Sequence, residues 1–76
     1  MRLSEAKQGD TLKIISIEGT GPIKKRLLEM GFSKGEKIDI VKYAPLKDPL
    51  EIKIRKFHIS LRVSEADRIE VEKDTL

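Results

Sequence analysis

Seventy-six residues support a single domain with little interior, so nearly every apolar side chain must join one core. The chain has no cysteine, which excludes disulfides, thiolate metal sites and cysteine nucleophiles. Sixteen basic and thirteen acidic residues leave a net charge of +3, mixed along the chain rather than gathered into a nucleic-acid-binding patch. No apolar run approaches the ~20 residues of a bilayer span. The N-terminus lacks the apolar centre of a signal peptide, so no membrane insertion and a cytoplasmic location are expected. Asparagine is absent and Gln8 is the one glutamine, a composition that fits a protein from a hot environment.

Met1 to Asp10 reads as an entry segment ending in a turn at Gly9-Asp10, with Leu3 and Ala6 tucked inward. Thr11 to Glu18 is rich in β-branched residues and predicts the first strand. Its alternation breaks: Leu12 and Ile14 share one face, Ile15 and Ile17 the other. A bulge near Ile14-Ile15, or burial on both faces, reconciles them.

Gly19 to Pro22 interrupts the chain and starts a short helix, with Thr20 or Gly21 as N-cap and proline in the first turn. Ile23, Leu27 and Met30 fall on one stripe expected to face the core. Gly31 occupies the left-handed stop position, and Phe32 lands where a Schellman ending returns a hydrophobe to Leu27. Ser33 to Glu36 is a tight turn with positive φ at Gly35. Lys37 to Tyr43 is the second strand, with Ile38 and Ile40 inward and a register change near Val41.

Two prolines make residues 44–49 a loop. Leu50, Ile52 and Ile54 then alternate cleanly with charged residues, and Phe57, Ile59, Leu61 and Val63 do the same after a tight turn at Arg55-Lys56. Both phenylalanines read as core. Ser64 caps a helical turn reaching Asp67, Ile69 and Val71 close a last short strand, and residues 73–76 form a tail. The expected fold is mainly β: a small barrel of about five strands, with one short helix after the first strand and a helical turn before the last. It is one domain over residues 1–76, with its core at about 3–72.

Catalysis finds no support. His58, the sole histidine, lies on the outward face of a strand away from any nucleophile motif. Glu70 with Glu72, or Glu65 with Asp67, can hold a hard cation weakly, but solvated surface explains both pairs. The Gly19–Lys25 stretch lacks the spacing of a nucleotide-binding loop, and Pro22 removes one of the amides that would bind phosphate. No cofactor is expected beyond weak association of Fe²⁺ or another divalent metal.

Lys24, Lys25 and Arg26 are more informative. Cations in the first turns of a helix oppose its dipole, and Lys25 with Glu29 is an i,i+4 pair in the weaker orientation. The triplet is therefore either a solvated face or a surface for an acidic partner. Leu28 lies off the apolar stripe. It either packs under the 45–49 loop, which the sequence favours slightly, or stands exposed as an anchor beside Lys24 and Lys25.

With these elements in place, Arg26-Leu27-Leu28-Glu29-Met30-Gly31-Phe32 resembles the Arg-Leu-x-x-Met/Leu-Gly-Leu/Phe segment of the ferrous iron transport A (FeoA) family. Ser33-Lys34-Gly35 sits where that family has a Ser/Thr-Pro-Gly turn. Asp48-Pro49-Leu50, Ile59-Ser60-Leu61-Arg62 and Glu65-Ala66 resemble its second half. Lys34 replaces the usual proline, and Lys56 stands where the family usually has glycine, which makes the turn before Phe57 strained or of another type.

The resemblance implies an SH3-like barrel and a non-catalytic cytoplasmic accessory protein of ferrous iron uptake. It also implies that the partner is the membrane transporter FeoB, whose cytosolic part is a G-domain. A related domain forms part of iron-dependent repressors, but this sequence shows no helix-turn-helix segment. On this reading Lys24, Lys25, Arg26, Leu28 and Glu29 form the partner-binding surface. The alternatives are a direct transition-metal-binding or sensing domain and a nucleic-acid-binding barrel; little aromatic surface and mixed charge on every strand oppose the latter.

Overall fold

The computed structural model describes residues 1–74. Its elements are β1 (Thr11–Ile17), α1 (Pro22–Glu29), β2 (Lys37–Tyr43), β3 (Leu50–Ile54), β4 (Phe57–Leu61), α2 (Val63–Ala66) and β5 (Ile69–Lys73), preceded by a 3-10 turn at Leu3–Glu5. The strands form one antiparallel sheet in the order β4-β3-β2-β1-β5. Every strand sends apolar side chains to one interior, which Leu3, Ala6, Leu27, Phe32 and Ala66 complete from outside the sheet. Five strands that share one core must wrap around it, and two irregularities supply the bending.

The first lies between Ile14 and Ser16 on β1, where the register with β5 shifts. It turns Leu12 and Ile14 inward before the break and Ile17 inward after it, leaving Ile15 on the surface. The bulge expected there is present. On its β2 side the pairing runs on past Lys13: Gly35 N–H donates to the Ile14 carbonyl and Ile14 N–H donates to the Glu36 carbonyl, both at 2.9 Å. Gly35 holds φ +90°, so a side chain there would strain this turn. The second irregularity, between Ile40 and Lys42 on β2, matches the register change expected near Val41.

Three expectations need correction. Phe57 shares the inward parity of Ile59 and Leu61, yet it is 64% exposed. It opens the edge strand β4 beside the β3–β4 turn, opposite Ile54, which is itself buried. The β3–β4 turn is strained as expected, with Arg55 in the left-handed conformation (φ +56°). Val63 does not extend β4 but begins α2, and Ser64 does not cap it. The capping comes from Glu65, whose carboxylate accepts the Arg62 N–H at 3.1 Å, and from Asp48, which accepts the Val63 N–H at 3.2 Å. As for the expected tail, Lys73 belongs to β5, and residues 75 and 76 lie outside the described residues.

Met1 lies along β5: its ammonium donates to the Val71 carbonyl at 3.0 Å, and the Val71 N–H donates back to Met1 at 2.8 Å. This covers part of one sheet edge. No strand pairs with the other side of β4 among the described residues.

Candidate functional site: the exposed side of the first helix

Helix α1 begins at Gly21 (φ +87°) and Pro22, whose ring suits the first helical position and whose missing N–H costs nothing there. It ends in a complete Schellman motif. Phe32 N–H donates to the Leu27 carbonyl and Gly31 N–H to the Leu28 carbonyl, each at 3.1 Å, with Gly31 at φ +101°. Leu27 and Phe32 are fully buried. The helix is thus fastened to the core through its C-terminal end.

Its N-terminal turn stands away from that core. Ile23 falls on the same stripe as Leu27, one turn earlier, but it is 38% exposed, so the expected inward position does not hold for it. Leu28 is 47% exposed, so the expected burial under the 45–49 loop does not occur. Met30 is half-buried against the core.

Helical spacing sorts the remaining side chains. Lys24 and Leu28 are i,i+4 neighbours, as are Lys25 and Glu29, and together they make one contiguous strip. Lys25 and Glu29 form no ion pair with each other, and neither Lys24 nor Lys25 pairs with any carboxylate among the described residues. Arg26 lies on the other side of the helix. Its Nη1 is 3.5 Å from Glu65 Oε2, and that carboxylate also caps α2. The structure therefore joins Lys24, Lys25, Leu28 and Glu29, while Arg26 ties α1 to α2. The basic triplet is thus split between two sides of the helix, a division the sequence alone did not make.

Elsewhere the titratable groups form local pairs. Glu36 sits below the ordinary carboxylate range because the Arg55 guanidinium donates to it, and the same contact raises Arg55. Arg2 is raised by its hydrogen bond and 2.7 Å ion pair with Glu18. The Tyr43 hydroxyl is raised by burial and then by the nearby Asp10 carboxylate. His58 is exposed, as its outward register on β4 predicts. Among the described residues no group of three or more histidine, aspartate or glutamate side chains is placed to hold a metal ion. No helix is long and apolar enough to cross a membrane.

A wrapped, five-stranded antiparallel sheet with one short helix and a helical turn defines a small β-domain of the SH3-like class. The model of the FeoA domain matches residues 1–73, and the chain belongs to that family. The chain is 49% identical over 72 residues to the Fe(2+) transport protein A/Fe(2+) transporter FeoB fusion protein of Porphyromonas gingivalis; the match covers 95% of this chain and 8% of that protein. The solution structure of iron(II) transport protein A from Clostridium thermocellum superposes with a TM-score of 0.91 at 45% identity, over 96% of this chain and 45% of the other. Stenotrophomonas maltophilia FeoA, solved with zinc and described as an SH3 domain protein, gives a TM-score of 0.84 at 33% identity, over 95% of this chain and 89% of that one.

Proposed function

We propose that this domain is a non-catalytic accessory module of ferrous iron uptake that works in the cytoplasm on the G-domain of a FeoB-type transporter. The observation that supports this most strongly is the fusion relative, in which a domain half identical to this one shares a polypeptide with FeoB. A domain carried on the same chain as its target acts at high effective concentration through the surface that meets it.

That surface is the strip of Lys24, Lys25, Leu28 and Glu29. Leu28 supplies the apolar anchor, two unpaired lysines supply the charged rim, and Arg26 holds α1 in place through Glu65. Lysines that oppose the helix dipole and have no internal partner fit an acidic counterpart. Calorimetric titration of the chain into a cognate transporter's cytosolic domain, with and without GTP, tests this. Saturable binding by wild type, lost in folded Leu28→Asp, is expected. No binding in either nucleotide state contradicts it.

A second reading, direct binding of a transition metal, is favoured by the zinc complex of the S. maltophilia relative. Titration with Fe²⁺, Mn²⁺ and Zn²⁺ decides it: saturating heat at micromolar metal supports it, and no heat at high micromolar metal rejects it.

A further inference from the structure

A cleft of about 470 Å³ lies between the N-terminal turn, the end of β2 and the start of α2, lined by Ser4, Ala6, Lys7, Gln8, Tyr43, Lys47 and Val63. That volume is in the range of ordinary ligand sites. None of its lining residues belongs to α1, so it is a second surface and does not rest on the docking reading above.

The hydrogen-bonding balance of this cleft is lopsided. The Tyr43 hydroxyl donates to the Ala6 carbonyl at 2.6 Å, and the Ser4 hydroxyl donates to Asp67 Oδ1 at 2.9 Å, so both protons are committed. The carboxylates nearby are engaged elsewhere: Asp67 takes that hydroxyl, Asp10 takes the Lys7 N–H at 2.9 Å, and Asp48 takes the Val63 N–H at 3.2 Å and pairs with Arg62; none of the three lines the cleft. Lys7 and Lys47 have no ion-pair partner among the described residues. Among the lining residues the free groups are therefore two ammonium ions and the Gln8 amide, and no carboxylate lines the cleft. Such a site suits a ligand that only accepts.

Two further features narrow the ligand. Lys47 holds the left-handed conformation (φ +66°), and its N–H donates to Ala44 at 2.7 Å, so the loop aims this lysine at a backbone cost. Leu46, immediately before it, is 90% exposed, and Ala6, Val63 and the Tyr43 ring give the cleft apolar walls. Cationic donors between apolar walls, with a bare leucine at the loop tip, match a carboxylate on a peptide that also carries an aliphatic side chain.

We propose that the cleft bounded by Lys7, Gln8, Tyr43 and Lys47 binds a carboxylate borne by a peptide, held between the Lys7 and Lys47 ammonium groups. The test is amide chemical-shift titration of the ¹⁵N-labelled chain with three probes: Ac-Leu-Glu-Leu-Glu-amide, the same peptide with glutamine for glutamate, and succinate. The acidic peptide is expected to shift Lys7, Gln8, Tyr43 and Lys47, and to bind at least fivefold more weakly to the Lys7→Gln/Lys47→Gln double variant. Lys53→Gln/Lys56→Gln, exposed on β3 and in the β3–β4 turn and outside the cleft lining, is expected to bind it unchanged. Equal response to both peptides, response to succinate alone, shifts confined to α1, or no shift at all would each overturn the proposal.

Discussion

Gly31 shows most plainly how one residue sets the position of the candidate docking strip. A Cβ at Gly31 would meet no atom within 4 Å, so the only objection to a side chain is the backbone conformation at φ +101°. Gly31→Ala is therefore expected to cost ~1–2 kcal/mol in urea unfolding, with an unchanged dependence on denaturant. A loss below a few tenths of a kcal/mol would mean that the Schellman ending does not hold the helix. Adjacent leucines make a sharper contrast. Leu27 is fully buried and Leu28 is 47% exposed, so Leu27→Ala should lose ~2–5 kcal/mol while Leu28→Ala stays within ~0.5 kcal/mol of wild type. Similar losses at both positions would contradict the exposure of Leu28 on which the docking strip depends. Tyr43 is the sole tyrosine, so its ionisation can be followed directly by ultraviolet absorbance. Its folded pKa is raised above the ordinary 10.0. The stability it contributes is thus complete below that value and is lost as pH rises through the folded one. Tyr43→Phe should remove that alkaline loss while deleting the hydrogen bond to Ala6.

Among the elements, strand positions were legible because period-2 alternation is a strong signal, and β2 occupies the residues its pattern predicted. The break in β1 was legible too, but the sequence allowed a bulge or burial on both faces, and the register shift with Ile15 on the surface decides for the bulge. The two ends of the β-hairpin region were not. Phe57 has the parity of a core residue, but parity does not reveal that it opens an edge strand, where it is exposed although its partner Ile54 is buried. Val63 continued an alternating pattern, and the pattern carries no trace of the Asp48 and Glu65 carboxylates that turn the backbone into α2. The same blindness affects the candidate site. Helical spacing placed Leu28 off the apolar stripe, but the separation of Arg26 from Lys24 and Lys25 needed Glu65, a residue 39 positions away in sequence. Arg26→Gln should change global stability by less than ~1 kcal/mol, as exposed ion pairs do. It should raise amide hydrogen exchange in α1 more than in β3. Equal changes in both elements would deny Arg26 its role in fixing the helix.

For the whole molecule, the ion pair between Glu36 and Arg55 links the turn before β2 to the β3–β4 turn. Glu36 titrates below the ordinary 4.5, so its contribution is present above that value and is lost as pH falls through the folded one. Replacing it with glutamine should flatten part of the stability loss on acidification below about pH 5. An unaltered acid profile would place that loss elsewhere. The core accounts for the fold, and a charged helix strip with no ion-pair partner among the described residues is what the core leaves unexplained. The most direct measurement is the affinity of the folded chain for the cytosolic G-domain of a FeoB-type transporter, compared with that of Leu28→Asp. The account predicts saturable binding by wild type and at least tenfold weakening in a variant whose fold is intact. Equal affinities, or no binding by wild type with or without GTP, would contradict it.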